Sequence, residues 1–321
     1  MTYGVLDLRN DFANNIEYDF VLTERWAHLI LHGTPVDFCT DVALPLSPTP
    51  REWLCDKHRD GSLHEPGLVA WLLALRTWFS DRRVRFIDIG ALYGYFTSMA
   101  ARLFADAEVI SVEGNPISAE YIRTNVSASG DTHVVVENCL IDAHARAARP
   151  YVISGFRFRP DSLSDLLFQR IVKNNLKQAL MRLGLGTYRV ERPETRKLAA
   201  KTLPSFLDAD GALNIVKIDT EGHQVRFLPR ATPDLIAANA VVLLEFDAPK
   251  RMAAYGATNL EMCRPFLDAG YHMFWCDHRV MGASAVPATT VTAAMDRNSL
   301  AVLMPAALAE AEGTTPHPAA S

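Results

Sequence analysis

The sequence predicts an α/β fold: a Rossmann-like, doubly wound, mostly parallel sheet with helices on both faces. Three observations carry that expectation. Short apolar runs, "VRFIDIG", "AEVISVEGNP", "HVVVENCLI", "LNIVKIDTEGH" and "AVVLLEFDA", recur through the chain with helical segments and short turns between them. Within each run apolar residues do not alternate with polar ones, which is the pattern of strands buried on both faces. Acids and glycines follow directly after the runs, at the carboxyl edge where such sheets hold ligands.

Residues 1–64 are mixed in composition and read as an N-terminal cover segment, with "LPLSPTPREWLCDK" as a proline-rich loop. The main domain is expected over residues 65–310. Pro66 suits a first helical position, and "GLVAWLLALRTWF" then carries a dense apolar face. "VRFIDIG" is the first strand of the sheet, followed by the helix "YFTSMAARLFA", a second strand, the helix "ISAEYIRTNVSAS" and a third strand. The last two apolar runs flank "QVRFLPRATPDLIAAN", a helix broken near Pro229. Residues 156–200 are rich in Arg and Lys, helical in their middle, and longer than a connection in a compact doubly wound sheet. A lid, a partner-binding or membrane-surface helix, and a solvated basic helix without a role all fit that insertion. Residues 311–321 read as a disordered tail.

Composition narrows the functional classes. The formal charge of −5 gives no whole-chain attraction for nucleic acid or anionic lipid, so peripheral contact would fall to the basic insertion. The five cysteines are scattered, odd in number and without CxxC spacing, against a disulfide framework or zinc knuckle. The first residues have no apolar targeting region, and no run reaches membrane-span length, so a cytoplasmic protein is expected. Oligomeric state has no signal.

The stretch "RFIDIGALYGYFT" supplies Asp88, Gly90 and Gly94. A dinucleotide turn needs G-x-G-x-x-G so that backbone N–H groups reach a pyrophosphate. Here the glycines are four apart and an acid precedes them, which repels phosphate; no lysine follows at P-loop spacing. A cofactor bearing an ammonium and a sulfonium, S-adenosylmethionine, suits the turn better. Glu113 ends the next strand, where an acid accepts hydrogen bonds from ribose hydroxyls. Tyr95 and Phe96 past the turn, and Asn115 past Glu113, join the cofactor-binding candidates. Asn138 and Asp142, near the end of the third strand, are either contacts to the base or turn formers.

"VKIDTEGHQ" sets Asp219, Glu221 and His223 at alternate positions, which share a side while the backbone stays extended. Glu245 ends the following strand. Methyl transfer to an alcohol needs an oriented acceptor and a base, and histidine is the natural base near neutral pH. Asp219, Glu221 and Glu245 could alternatively give oxygen ligands to a divalent cation, which is not favoured.

Together, "HEPGLVAWLLAL", "FIDIGALYGYFTSMAARL", "VISVEGNP", "VENCLIDA", "NIVKIDTEGHQ", "VVLLEF" and "RNSLAVLMP" resemble the FkbM-type methyltransferases over about residues 62–304. That resemblance implies the class I methyltransferase fold and O-methylation, from S-adenosylmethionine, of a hydroxyl on a carbohydrate or polar secondary metabolite. It implies that Asp88, Gly90 and Gly94 form the cofactor turn and Glu113 holds the ribose. Glu65 falls near the methionine end, and Asp219, Glu221 and His223 lie on the acceptor side. The family's turn carries asparagine where this chain has Leu92, followed by Tyr93. The rival readings are an NAD-dependent oxidoreductase and a non-catalytic cofactor-binding scaffold.

Overall fold

A computed structural model describes residues 16–44, 48–104, 106–154, 157–160, 194–208 and 211–311. Where the start of the chain reads as irregular cover, it instead makes an antiparallel sheet of β1 (Tyr18–Leu22), β2 (Trp26–Leu31) and β3 (Thr34–Cys39). His32 and Gly33 join the last two strands, both with positive φ, as a two-residue hairpin turn requires. Alternate residues of β2 and β3, including Leu29, Leu31, Val36 and Phe38, are buried.

Two helices follow. α1 (Pro50–Lys57) starts at a capping box between Thr49 and Glu52, and α2 (Pro66–Trp78) starts at Pro66 as expected. The sheet then builds through β4 (Val84–Ile89), α3 (Tyr95–Leu103), β5 (Glu108–Val112), α4 (Pro116–Ser129) and β6 (Val134–Glu137). A short β7 (Leu140–Ile141) leads to β8 (Arg146–Ser154), β9 (Arg157–Pro160) and β10 (Glu194–Lys201). These four make a separate sheet in the order β7-β10-β8-β9. The insertion expected at 156–200 therefore begins and ends in strand, while the helix expected in its middle and the tail expected after Ala311 fall outside the described residues.

The chain returns to the main sheet with β11 (Leu213–Ile218), α5 (Leu228–Ala237) and β12 (Val241–Phe246). Pro229 lies in the first turn of α5 rather than breaking it, since its missing N–H would lack a helical partner there anyway. α6 (Pro249–Ala254), α7 (Asn259–Asp268), β13 (Tyr271–Cys276), β14 (Val286–Ala288), β15 (Ser299–Pro305) and α8 (Ala306–Ala311) complete the fold.

The eight-stranded order is β14-β13-β15-β12-β11-β4-β5-β6. From β12 to β6 every pairing is parallel, and β15 runs antiparallel to both of its neighbours. Side chains alternate between two cores. Val84, Phe86, Leu213, Ile215 and Leu243 join α2, α3 and the N-terminal sheet. Ile87, Ile89, Val216, Ile218 and Leu244 join α5 and α7. Each fully buried aliphatic or aromatic side chain contributes roughly 1.5–3 kcal/mol, so this two-sided burial fixes strand register. The order reverses between β4 and β11, a switch point that opens a crevice at their carboxyl ends. Among the described residues no helix is long and apolar enough to cross a membrane.

Candidate active site

The turn after β4 is built for glycine. Gly90 has φ +82, and a Cβ there would lie 1.7 Å from the Asp219 carbonyl oxygen. The close approach of the two loops at the switch point thus requires hydrogen at this position. Gly90 N–H donates to the Val112 carbonyl at 2.9 Å, Ala91 N–H to the same oxygen at 3.3 Å, and Gly94 N–H to Ala91 at 2.7 Å. Leu92 N–H donates to Glu113 Oε2 at 2.7 Å. Leu92 also has φ +54, left-handed for a residue with a branched side chain. The asparagine of the resembled family tolerates that conformation better.

Asp88 does not face the crevice. It is fully buried, accepting from Lys217 Nζ at 3.0 Å and from Thr97 Oγ1 at 2.7 Å. Lys217 sits opposite it in register on β11, with its ammonium over the Phe96 ring. Burial disfavours the lysine charge, but Asp88, Asp219 and Glu65 more than offset this and hold it above the ordinary lysine range. The electrostatic reason for excluding phosphate therefore changes: Asp88 is neutralised within the sheet. Gly94 starts α3, while Tyr95 and Phe96 are buried there among Phe38, Trp53 and His64.

Glu113 does face the crevice. Its Oε1 accepts from Asn115 N–H at 2.6 Å, opposite the Leu92 contact, so one carboxylate ties two loops together. Burial lifts its pKa to about 7 against these N–H groups. Asn138 donates to the carbonyls of Glu113 and Gly114 at 2.8 and 3.1 Å. Asp142 accepts from Ala143 N–H at 2.7 Å and Arg146 at 2.6 Å. Both are spent on holding turns.

The extended alternation expected for Asp219, Glu221 and His223 does not occur. β11 ends at Ile218, and Glu221 and Gly222 both adopt positive φ before a short 3₁₀ turn over His223–Arg226. Glu221 is half-exposed and pairs with Arg251, which also holds Asp247 at 2.6 Å. His223 Nε2 lies 2.9 Å from the Ile141 carbonyl, and burial lowers its pKa, so the ring is neutral with Nε2–H as the donor. Asp219 reaches instead toward Lys217, at 3.8 Å. Glu245 accepts from Arg279 at 2.7 Å and is held well above the usual carboxyl range by burial, Asp219 and Glu65. Glu65, in a left-handed conformation at the start of α2, is buried between His64 and His278, each at 3.6 Å. Asp219, Glu221 and Glu245 thus do not converge on one ion.

A cleft runs along this edge, lined by Gly90, Leu92, Glu113, Asn115, Leu140, Ile141, Asp219, Thr220, Glu221, His223 and Phe227 among others. Of the residues expected at the site, Glu65, Asp88, Gly94, Tyr95, Phe96, Asn138, Asp142 and Glu245 stand behind the lining. Sequence reading missed Lys217, Leu140, Ile141, Phe227, His278 and Arg279. Only Lys217 carried a local signal, a charge inside a strand apolar on both sides.

Strand order, the reversed β15 and a glycine turn facing an acid on the next strand define a Rossmann-like, doubly wound α/β fold, as the sequence predicts. Among solved structures, an FkbM methyltransferase from Methylobacillus flagellatus is similar at 10% identity and TM-score 0.38, over 78% of this chain and 57% of that one. The bifunctional kinase-methyltransferase WbdD is similar at 12% identity and TM-score 0.41, over 79% and 41%. A putative O-methyltransferase from Klebsiella pneumoniae follows at 14% and 0.33, over 73% and 78%. This chain spans little more than half the length of the first. No family model and no curated protein matches the sequence.

Proposed function

We propose that the protein is an S-adenosylmethionine-dependent O-methyltransferase of the FkbM type, acting on a hydroxyl of a carbohydrate or polar metabolite. The observation that carries the reading is the turn itself. The N–H groups of Gly90, Ala91, Leu92 and Gly94 all donate within the protein, leaving none of the four to cradle a pyrophosphate. That disfavours NAD and suits a nucleoside cofactor without phosphates. The donor set fits: Glu113 offers a carboxylate to ribose hydroxyls, and Leu140, Ile141 and Phe227 offer apolar surface to a base. The FkbM assignment and the hydroxyl acceptor rest on the sequence motifs.

When bound, S-adenosylmethionine supplies a methyl group on a cationic sulfur, open to in-line attack by an oxygen. The residues of this chain bind and orient. Asp219 and Thr220 border the cleft at the switch point, where they would position an acceptor. His223 spends Nε2–H on Ile141, so Nδ1 remains to take the acceptor's proton. Burial keeps that ring unprotonated and basic-form competent below the ordinary histidine pKa.

Thermal unfolding with S-adenosylhomocysteine and with NAD tests the reading. A ligand at a hundred times its Kd adds about 2.7 kcal/mol, which should raise the melting temperature by roughly 5 °C. The expected outcome is a rise with S-adenosylhomocysteine that Glu113→Ala diminishes, and none with NAD. Stabilisation by NAD alone would remove the proposal.

A further inference from the structure

Behind the cleft lining, three distant segments bring Glu65, Glu245 and His278 together, with one ligand atom of each within 4.8 Å of the others. The approach is enforced by the backbone. Gly67 N–H donates to the His278 carbonyl at 2.9 Å, and a Cβ on Gly67 would lie 2.7 Å from His278 Cα. α2 can therefore start against this loop only with glycine there.

His278 is 1% exposed, and neither ring nitrogen has a hydrogen-bond partner. Buried ring nitrogens are nearly always satisfied, so this one marks an unmet demand. Its Nε2 stands 3.6 Å from Glu65 Oε1 and 3.8 Å from Glu245 Oε1. Those distances are too long for hydrogen bonds. They are near the separation of about 3.3 Å between two ligands sharing a tetrahedral ion with bonds near 2 Å.

Charge points the same way. Four carboxylates (Glu65, Asp88, Asp219, Glu245) meet two permanent cations, Lys217 and Arg279. We infer that Glu65, Glu245 and His278 form a binding site for a divalent transition-metal ion, with Asp219 at its border with the cleft. One imidazole and two carboxylates suit Zn²⁺ or Mn²⁺ better than Mg²⁺, which prefers oxygen and water. Arg279 now contacts the same Glu245 oxygen, but it is half-exposed and free to swing into water when an ion enters.

Tag-free protein, stripped with EDTA and titrated with Zn²⁺, Mn²⁺ and Mg²⁺, tests this by elemental analysis and thermal unfolding, without cofactor. The expected result is one Zn²⁺ or Mn²⁺ per chain, with affinity falling about a hundredfold in His278→Ala and in Glu65→Gln. Arg279→Gln, an exposed change that leaves the fold intact, should bind the ion more tightly, because the competing cation is gone. Absence of stoichiometric binding, equal binding by His278→Ala, or unchanged or weaker binding by Arg279→Gln would each overturn the site. Since no cofactor is present, these outcomes leave the S-adenosylmethionine reading untouched, and loss of the S-adenosylhomocysteine shift leaves the metal site untouched.

Discussion

Asp88 and Glu113 sit at the ends of neighbouring parallel strands, and both are buried, yet the protein handles the two charges in opposite ways. Asp88 is matched by a full cation, Lys217, inside the sheet and away from the cleft. Glu113 has only two backbone N–H groups and faces the cleft, so its pKa rises to about 7. A carboxylate at the same edge serves in one place as internal electrostatics and in the other faces the cleft, where it is proposed to bind. What decides is the face of the sheet and the presence of a partner in register, not proximity to the glycine turn.

The largest expected effect comes from breaking the matched pair. Lys217→Met leaves Asp88 as an uncompensated charge in the core, and such breakage typically costs about 3–5 kcal/mol. Both side chains are almost fully inaccessible, so water does little to screen the loss. The double variant Asp88→Asn, Lys217→Met removes the orphaned charge and should regain much of that stability. Urea unfolding of the two variants checks this. Equal stability of single and double variants would mean that the pair does not carry the charge balance assigned to it.

Glu113 gives the intermediate effect. With its pKa near 7, the carboxylate form predominates only above neutrality. If that form accepts the ribose hydroxyls, cofactor affinity should rise about tenfold between pH 6 and 8, following the ionised fraction. The sign for stability is opposite. A carboxyl whose folded pKa is raised contributes stability below its ordinary value, and loses it as pH climbs through about 7. Isothermal titration with S-adenosylhomocysteine across this range, repeated in Glu113→Gln, separates the two effects. The variant should show a flat profile.

Much of this architecture was legible because burial on both faces writes itself into a strand. "VRFIDI" and "VVLLEF" could hardly be anything else once glycine or acid closed them, and the Gly90 turn could be recognised from spacing. Other parts depend on contacts that sequence order hides. The sheet of residues 18–39 alternates in only short segments interrupted by Pro35, and its buried face has meaning only once α3 lies against it. The expected alignment of Asp219, Glu221 and His223 assumed an extended chain, but positive φ at Glu221 and Gly222 turned it aside. Glu65, Glu245 and His278 come from three distant segments, so no window of sequence could join them. Lys217 was the readable clue that went unread: in "NIVKI" a lysine buried on both sides requires an acid, and Asp88 stands opposite.

The smallest effect lies in Leu92, which links the two acids because its N–H reaches Glu113 from the turn that follows Asp88. Its left-handed backbone is strained for leucine by roughly 1–2 kcal/mol, whereas asparagine enters that region readily. A direct swap also removes a half-buried apolar side chain, so the strain must be isolated by comparison. Leu92→Ala and Leu92→Asn both forfeit that packing, but only asparagine relieves the backbone. Leu92→Asn should therefore be more stable than Leu92→Ala by about 0.5–1 kcal/mol, read as a shift in urea midpoint at constant m value. It should also bind S-adenosylhomocysteine more tightly than Leu92→Ala, since a relaxed turn presents the Leu92 N–H position to Glu113 without distortion. If alanine proves equal or better, the positive φ is not a source of strain, and the departure from asparagine at this turn has a cause in packing instead.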